Sequence, residues 1–245
     1  MLAVLGLAVL IGISLGLLGG GGSILTVPIL TYVGGMEPKA AIASSLFVVG
    51  VTSAAGVISH ARAGRVRWRT GLVFGAAGMA GAYGGGRLAA FIPGHVLMIA
   101  FGLMMAATAV AMLRKPRTLA ARSTELPVGK VIAEGVVVGI VTGIVGAGGG
   151  FLVVPALVLL GGLSMETAIG TSLVVIAMKS FAGLAGHLGH VDVDWPITLG
   201  VTAVAVVGSL IGGTLAGRIP PATLRRGFGV FVVVMAAFVL AKELI

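Results

Sequence analysis

Long apolar runs separated by short polar stretches dominate the chain. Runs of this length are typical of transmembrane helices, which need about 20 apolar residues to cross the hydrocarbon core. The sequence lacks the short alternating segments of an outer-membrane β-barrel. The pattern therefore predicts an all-α integral membrane protein with about eight hydrophobic segments. They lie at 2–34, 38–60, 70–91 and 94–113 in the first half, and at 131–160, 164–187, 196–216 and 220–242 in the second.

The first segment of each half is interrupted by glycines, at Gly19–Ser23 and at Gly146–Gly150. Each glycine costs a helix about 1 kcal/mol relative to alanine, so consecutive glycines favour a break. Broken backbone at membrane depth is tolerated only where protein or a water-filled cavity satisfies its polar groups. We expect new half-helices to start after the breaks, at about 24–33 and 151–160.

The two halves are related by an internal repeat. Shifting the chain by 127 positions aligns residues 12–113 with the second half without a gap, and 37 of 102 positions are identical. The matches include glycines, prolines and single polar residues, so they are not a consequence of apolar composition. We therefore predict two homologous four-segment repeats, at 1–113 and 131–245, joined by a basic linker at 114–130. The matched pairs include Gly19/Gly146, Pro28/Pro155, Ser45/Ser172, His60/His187 and Trp68/Trp195.

Composition narrows the class of protein. The chain is 58% hydrophobic and only 9% charged, too few charges to cover a water-facing surface. The net charge of +9 comes from basic loops of the kind the positive-inside rule describes, so we expect no nucleic acid partner. The chain has no cysteine and no evident carboxylate pair or metal-ligand set, so we expect no enzymatic activity, cofactor or metal.

The distribution of basic residues bears on topology. If the broken segment crosses the membrane once, each half has four crossings and the repeats are parallel. If it enters and returns as a hairpin, each half has three crossings and the repeats are inverted. The hairpin arrangement places twelve basic residues on one side and three on the other, a stronger bias than single crossing gives. The sequence thus favours inverted repeats, with a cytoplasmic linker and a multi-pass location in the cell (inner) membrane.

The glycine breaks are the leading candidates for a binding site. The first N–H groups of a helix lack intrahelical partners and carry the positive end of the helix dipole, so an anion can bind there. Two such starts related by pseudo-symmetry are typical of secondary transporters. Glycines can instead serve close helix packing, which we favour for Gly12/Gly16 and Gly81/Gly85. The candidate substrate-binding residues are Gly19, Gly20, Gly21, Gly22, Ser23, Ser44, Ser45, Gly146, Gly148, Gly149, Gly150, Thr171, Ser172 and Lys179.

Three further side chains are ambiguous. Lys179 is a charge that falls well inside a predicted span; it can compensate an anion, or extend its stem to the membrane boundary. His60 and His187 end their helices, where capping or interfacial roles compete with proton coupling. The hydroxyls of Ser45 and Ser172 can donate to an anion or bond back to their own helices.

The motifs as a set resemble those of the sulfite exporter TauE/SafE family of membrane transporters. The resemblance rests on LGGGGSILTVPIL (18–30) with its echo VGAGGGFLVVPAL (145–157), on ASSLFVV (43–49) with GTSLVVI (170–176), on the His60/His187 pair, and on the basic loop before Trp68. It implies export or uptake of sulfite, sulfonates or related small sulfur-containing anions.

The expected function is therefore a secondary transporter of a small anion, most simply sulfite or sulfonate export by alternating access. The alternatives are an anion channel and a carrier for a non-sulfur organic anion. The lipid bilayer is the other expected partner, and exposed small-residue faces also allow a homodimer.

Overall fold

The computed structural model describes residues 2–113, 128–146, 150–159, 162–216 and 218–244. Every regular element within these ranges is helical, which confirms the all-α prediction. Most of the predicted linker lies outside the described ranges, as do Gly148 and Gly149. The α-helices are α1 Leu2–Leu18, α2 Gly21–Pro28, α3 Pro38–Arg62, α4 Trp68–Ala89, α5 Gly94–Leu113, α6 Val128–Val145, α7 Gly150–Leu159, α8 Met165–His187, α9 Trp195–Ala216 and α10 Pro221–Leu244.

Three helices in the described ranges, α3, α8 and α9, are long and apolar enough to cross a membrane by length and composition. Shorter apolar helices accompany them, at Ala3–Leu18, Gly22–Val33, Gly94–Val110 and Ile132–Val145. The most apolar window of α3 is 67% buried inside the protein and that of α8 83%, against 44% for α9. Helices α3 and α8 therefore form the centre of the bundle.

The first apolar segment folds back on itself. Gly19 adopts φ +71°, a left-handed conformation that favours glycine, and ends α1. Helix α2 then returns along α1: Gly22 lies against Ile11 O and Leu15 Cβ, and Leu30 shares an apolar cluster with Val4. The two arms of this segment therefore form a helical hairpin.

Helix α2 starts inside the glycine run, at Gly21, three residues earlier than the start expected at Ile24. Glycine is a poor helix former but is not excluded from helices, and tertiary packing overrides its propensity. A side chain on Gly22 would overlap α1, so glycine is required there by the close approach of the two arms. Pro28 ends the α-helical part, and a π-helical turn follows at Ile29–Val33.

Two glycine-lined seams join the halves. Gly12 and Gly16 of α1 pack against Ala205 and Ser209 of α9. The second seam places Gly139 and Gly143 of α6 against Gly78 and Ala82 of α4. The residues of one seam match those of the other after a shift of 127 positions. Small residues allow the backbones to approach closely, as in other membrane helix pairs.

Candidate functional site at the paired helix breaks

The two glycine breaks meet inside the bundle. A Cβ placed on Gly150, the first residue of α7, would lie 2.6 Å from Gly20 Cα and 3.2 Å from Ser23 Oγ. Gly20 is the N-cap of α2, so the starts of the two half-helices face each other. Gly20, Ser23 and Gly150 are all buried. The unpartnered N–H groups of two helices are thereby concentrated at one place, from opposite halves of the chain.

Each break also contacts a serine from a central helix. Ser45 Oγ of α3 lies 2.7 Å from Gly146 O and 2.8 Å from Ile42 O, and can donate its proton to either oxygen. Its counterpart in α8, Ser172, donates to Ile169 O at 2.8 Å. A Cβ on Gly19 would lie 2.8 Å from Ser172 Oγ. Both serines therefore sit beside the break of the other half.

Gly146 repeats the backbone geometry of its counterpart Gly19. Its φ is +72°, and its N–H donates to Thr142 O at 2.9 Å, as the Gly19 N–H does to Leu15 O at 2.8 Å. A side chain on Gly146 would overlap Ile42. Both breaks thus need glycine for its conformation and for the space it leaves.

Two other candidates, Thr171 and Ser44, make no hydrogen bond to the breaks in the described part of the chain. Thr171 Oγ1 accepts a hydrogen bond from the backbone N–H of Arg67 at 3.0 Å, so Thr171 ties α8 to the loop before α4. Ser44 is buried in α3, and its hydroxyl has no hydrogen-bond partner among the described residues. A buried hydroxyl without a partner has unused hydrogen-bonding capacity.

Lys179 is buried, with an exposed fraction of 1%. The sequence had left open whether its stem instead extends to the membrane boundary. Its Nζ donates to Thr142 Oγ1 at 3.2 Å, on the helical turn of α6 that precedes Gly146. Its stem runs under Gly78, whose Cβ would lie 2.7 Å from Lys179 Cδ. The Lys179 amino group is therefore inside the bundle, one helical turn from Gly146.

The two histidines cap the broken helices. His60 Nε2 lies 3.0 Å from Gly16 O, and His187 Nε2 lies 3.0 Å from Gly143 O. Because a carbonyl oxygen only accepts, Nε2 must carry the proton in both rings. Gly16 and Gly143 stand in the last turns of α1 and α6, where carbonyls lack intrahelical partners. Each histidine therefore caps a neighbouring helix, α1 or α6, and not the helix that carries it.

Replacing His60 by glutamine should preserve the cap, because the glutamine amide N–H₂ can reach the position of Nε2. Replacing it by leucine should leave Gly16 O buried without a donor and lower the free energy of unfolding by about 1–3 kcal/mol. Thermal unfolding in detergent measures both. The matched pair at His187 should behave alike. Equal destabilisation by glutamine and leucine would contradict the capping role.

A hollow of about 350 Å³ between α5, α6 and α7 is lined mainly by apolar side chains, including Met104, Val137, Val141 and Leu152. Such a lining suits hydrocarbon better than an anion. Within the described part of the chain, no group of three or more His, Asp and Glu side chains could hold a metal ion.

Thr142 was not among the residues selected from the sequence. A threonine in an apolar helix carries little signal by itself, and only the packing of α6 against α8 reveals its bond to Lys179. Gly16 was interpreted as a packing residue, whereas its carbonyl also accepts a histidine cap, as does the carbonyl of its counterpart Gly143. Every residue has a main-chain carbonyl, so the residue type does not show which carbonyl accepts such a hydrogen bond.

Comparisons with known proteins agree with this architecture. The sequence model of the family described as "Sulfite exporter TauE/SafE" matches residues 4–239. A "Probable membrane transporter protein" of Xylella fastidiosa (strain Temecula1 / ATCC 700964) is 34% identical over 99% of this chain and 96% of its own length. The Bacillus subtilis (strain 168) "Probable membrane transporter protein YdhB" is 26% identical over 88% of this chain and 90% of its own.

A third relative, "Probable membrane transporter protein MJ0441" of Methanocaldococcus jannaschii, is 28% identical over 98% of this chain and 96% of its own length. No solved structure matches the chain. Three observations agree on the class of protein. The helices are apolar, the family model matches nearly the whole sequence, and the relatives are named membrane transporters. The chain is a membrane transporter and belongs to the sulfite exporter TauE/SafE family.

Proposed function

We propose that this transporter is a secondary carrier for a small oxyanion, sulfite or a related sulfur-containing anion, and exports it across the cell (inner) membrane. The observation that carries the proposal is the contact between Gly20 and Gly150, which brings two half-helix starts together. Their N–H groups and dipoles favour an anion. The name of the family, sulfite exporter, supports the choice of substrate class.

The contact also bears on the mechanism. Gly20 and Gly150 approach so closely that this conformation leaves no space for a ligand between them. An anion can therefore bind only when the two half-helices separate, and its binding in turn stabilises the separated state. Ser45 and Ser172 lie beside the breaks and can redirect their hydroxyls from main-chain carbonyls to the anion.

Alternating access follows naturally if the halves form an inverted repeat. Helices α3 and α8 occupy equivalent places in the two halves and run antiparallel: Gly50 packs against Ser180, whereas Gly170 packs against His60. Equivalent helices that run in opposite directions support halves of opposite orientation. Rocking one half against the other would then expose the site to each side in turn.

Export of an anion needs no carboxylate relay. A negative cell interior drives each negative charge outward with about 2.3 kcal/mol per 100 mV. Lys179 would offset one negative charge of the substrate during passage, because its ammonium lies near the second break. Lipid surrounds the exposed apolar faces of the outer helices, and the small-residue faces among them could also support a homodimer.

Counterflow in proteoliposomes tests the carrier against a channel. Vesicles preloaded with unlabelled sulfite should accumulate radiolabelled sulfite above its external concentration, because a carrier exchanges one anion for another. Parallel loading with thiosulfate, a sulfonate and a carboxylate would rank the substrates. Ohmic conductance without counterflow would contradict the carrier and favour an anion channel.

A further inference from the structure

The hollow between α5, α6 and α7 lies on the side of α7 that faces away from the paired breaks. Leu152 and Pro155 of α7 contribute to its lining, two and five residues after Gly150. At about 100° per residue, both stand on the face of the helix opposite to Gly150. Val137 of α6 also lines the hollow and is exposed, so the hollow opens at the surface of the bundle. A shift of α7 into the hollow would therefore carry Gly150 away from Gly20.

The size and lining of the hollow suit such a shift. Its volume is about 350 Å³, whereas an apolar cavity of about 150 Å³ already admits a benzene molecule. Apolar side chains of α7 can enter without removing water from a polar group, because the lining is mainly apolar. The hydroxyl of Thr108, which is part of the lining, already donates to Met104 O at 2.9 Å.

Larger side chains stand at the equivalent positions around α2, the half-helix of the first half. The shift of 127 residues pairs three lining positions with larger residues, as Thr108/Met235, Met104/Phe231 and Val138/Ile11. Phe231 and Met235 pack against a buried apolar cluster. Ile11 is completely buried in another cluster, against which Leu25 of α2 packs. Helix α2 therefore has less room than α7 for the same movement.

The chain that follows α2 is also tied to α10. Tyr32, in the π-helical turn after α2, donates from its hydroxyl to Glu243 Oε1 at 2.7 Å. Its ring meets the ring of Phe238 edge to face, with the centroids 5.6 Å apart. The repeat aligns Tyr32 with Leu159 and Phe238 with Ala111, which have neither a hydroxyl nor a ring. The second half therefore cannot form the equivalent tie.

We propose that α7 is the gate of the anion site: it shifts into the hollow and separates Gly150 from Gly20, while α2 stays packed against α1. The inference rests on the proposed function, which places the anion between the two breaks. The gate is closed in this conformation, because Gly20 and Gly150 are in contact. The movement of α7 opens the site, and the rocking of the two halves decides which side of the membrane the opened site faces.

Filling the hollow tests the gate. Thr108→Met introduces the side chain that the counterpart position has, so the melting temperature of the full-length protein in detergent should stay equal or rise. Sulfite counterflow in proteoliposomes should fall about tenfold or more, because α7 would then enter an overpacked space. Thr214→Met is the matched control. Thr214 also donates within its own helix, to Ile211 O at 2.7 Å, but it is exposed on α9, so this variant should transport at the wild-type rate.

A second measurement reports the opening of the gate without transport. The chain has no cysteine, so Ser23→Cys places a single thiol at the paired breaks. Because Ser23 is buried there, a methanethiosulfonate reagent should label this thiol only after the half-helices separate. Adding Thr108→Met should slow the labelling about tenfold or more. Adding Thr214→Met, or Tyr32→Phe to remove the bond to Glu243, should leave the labelling rate unchanged.

Unchanged labelling and counterflow in Thr108→Met would overturn the gate. Faster labelling in Tyr32→Phe would also overturn it, because it would show that α2 is the half-helix that moves. If Thr108→Met does not insert, Val138→Ile carries the test with the side chain of its counterpart Ile11. A wild type that carries no sulfite, thiosulfate or sulfonate would overturn the proposed function itself. An active wild type with an unaffected Thr108→Met variant refutes only the gate.

Discussion

Replacing Gly150 with valine should abolish anion transport while leaving the protein inserted in the membrane. Any Cβ at this position lies 2.6 Å from Gly20 Cα, too close for the two half-helices to keep their contact. The valine methyl groups would also cover the first N–H groups of α7. Overpacking of this kind costs about 1–3 kcal/mol. If this cost is added to the activation free energy of the transport cycle, the rate falls by up to about 100-fold. Sulfite counterflow in proteoliposomes measures the loss.

Gly84→Val is the matched control for this substitution. Gly84 lies within α4, and no other atom comes within 4 Å of the Cβ that a side chain would add. The control variant should transport at the wild-type rate, because it places the same side chain in open space. Normal counterflow by Gly150→Val, at equal protein content in the vesicles, would show that the paired breaks are not the binding site.

Replacing Lys179 with methionine should lower the transport rate without lowering thermal stability. The substitution removes a fully buried amino group and keeps a flexible chain of similar length under Gly78. Burying a charge is costly, so the melting temperature in detergent should stay equal or rise. Transport should fall about tenfold or more, because the anion loses a charge-assisted interaction.

Lys39→Met provides the comparison for this variant. Lys39 also donates to an oxygen, Ala90 O at 2.9 Å, but it does so at the start of α3, away from the breaks. We expect that variant to keep most of its transport. Full activity in Lys179→Met, or a large drop in its melting temperature, would show that the lysine serves packing and not the anion.

Much of the helical layout follows from the sequence, because lipid imposes a simple rule: apolar runs of sufficient length become helices. The run predicted at 38–60 is α3, at Pro38–Arg62, and the run at 196–216 is α9, at Trp195–Ala216. The starts of the half-helices were less predictable. Gly21 is helical because α1 packs against Gly22, and that contact depends on a fold-back that propensity does not encode.

The residues at the paired breaks could be selected from the sequence, but their contacts could not. The glycine pairs and Lys179 were selectable from residue type, and the family resemblance is confirmed by the match over residues 4–239. The bond from Lys179 to Thr142 was not predictable, since it depends on the rotation of α8 relative to α6. The burial of one guanidinium nitrogen of Arg65 is likewise visible only in three dimensions.

The glycine seams have a consequence for how the protein is made. Gly12 of α1 packs against Ala205 of α9, so α1 finds this neighbour only after the helices between them have been synthesised and inserted. Until then its narrow face must be covered by lipid or by the insertion machinery. Contacts so distant in sequence slow folding. Truncation before α9 would therefore leave α1 unpaired, and quality-control proteases should remove the shortened chain from the membrane.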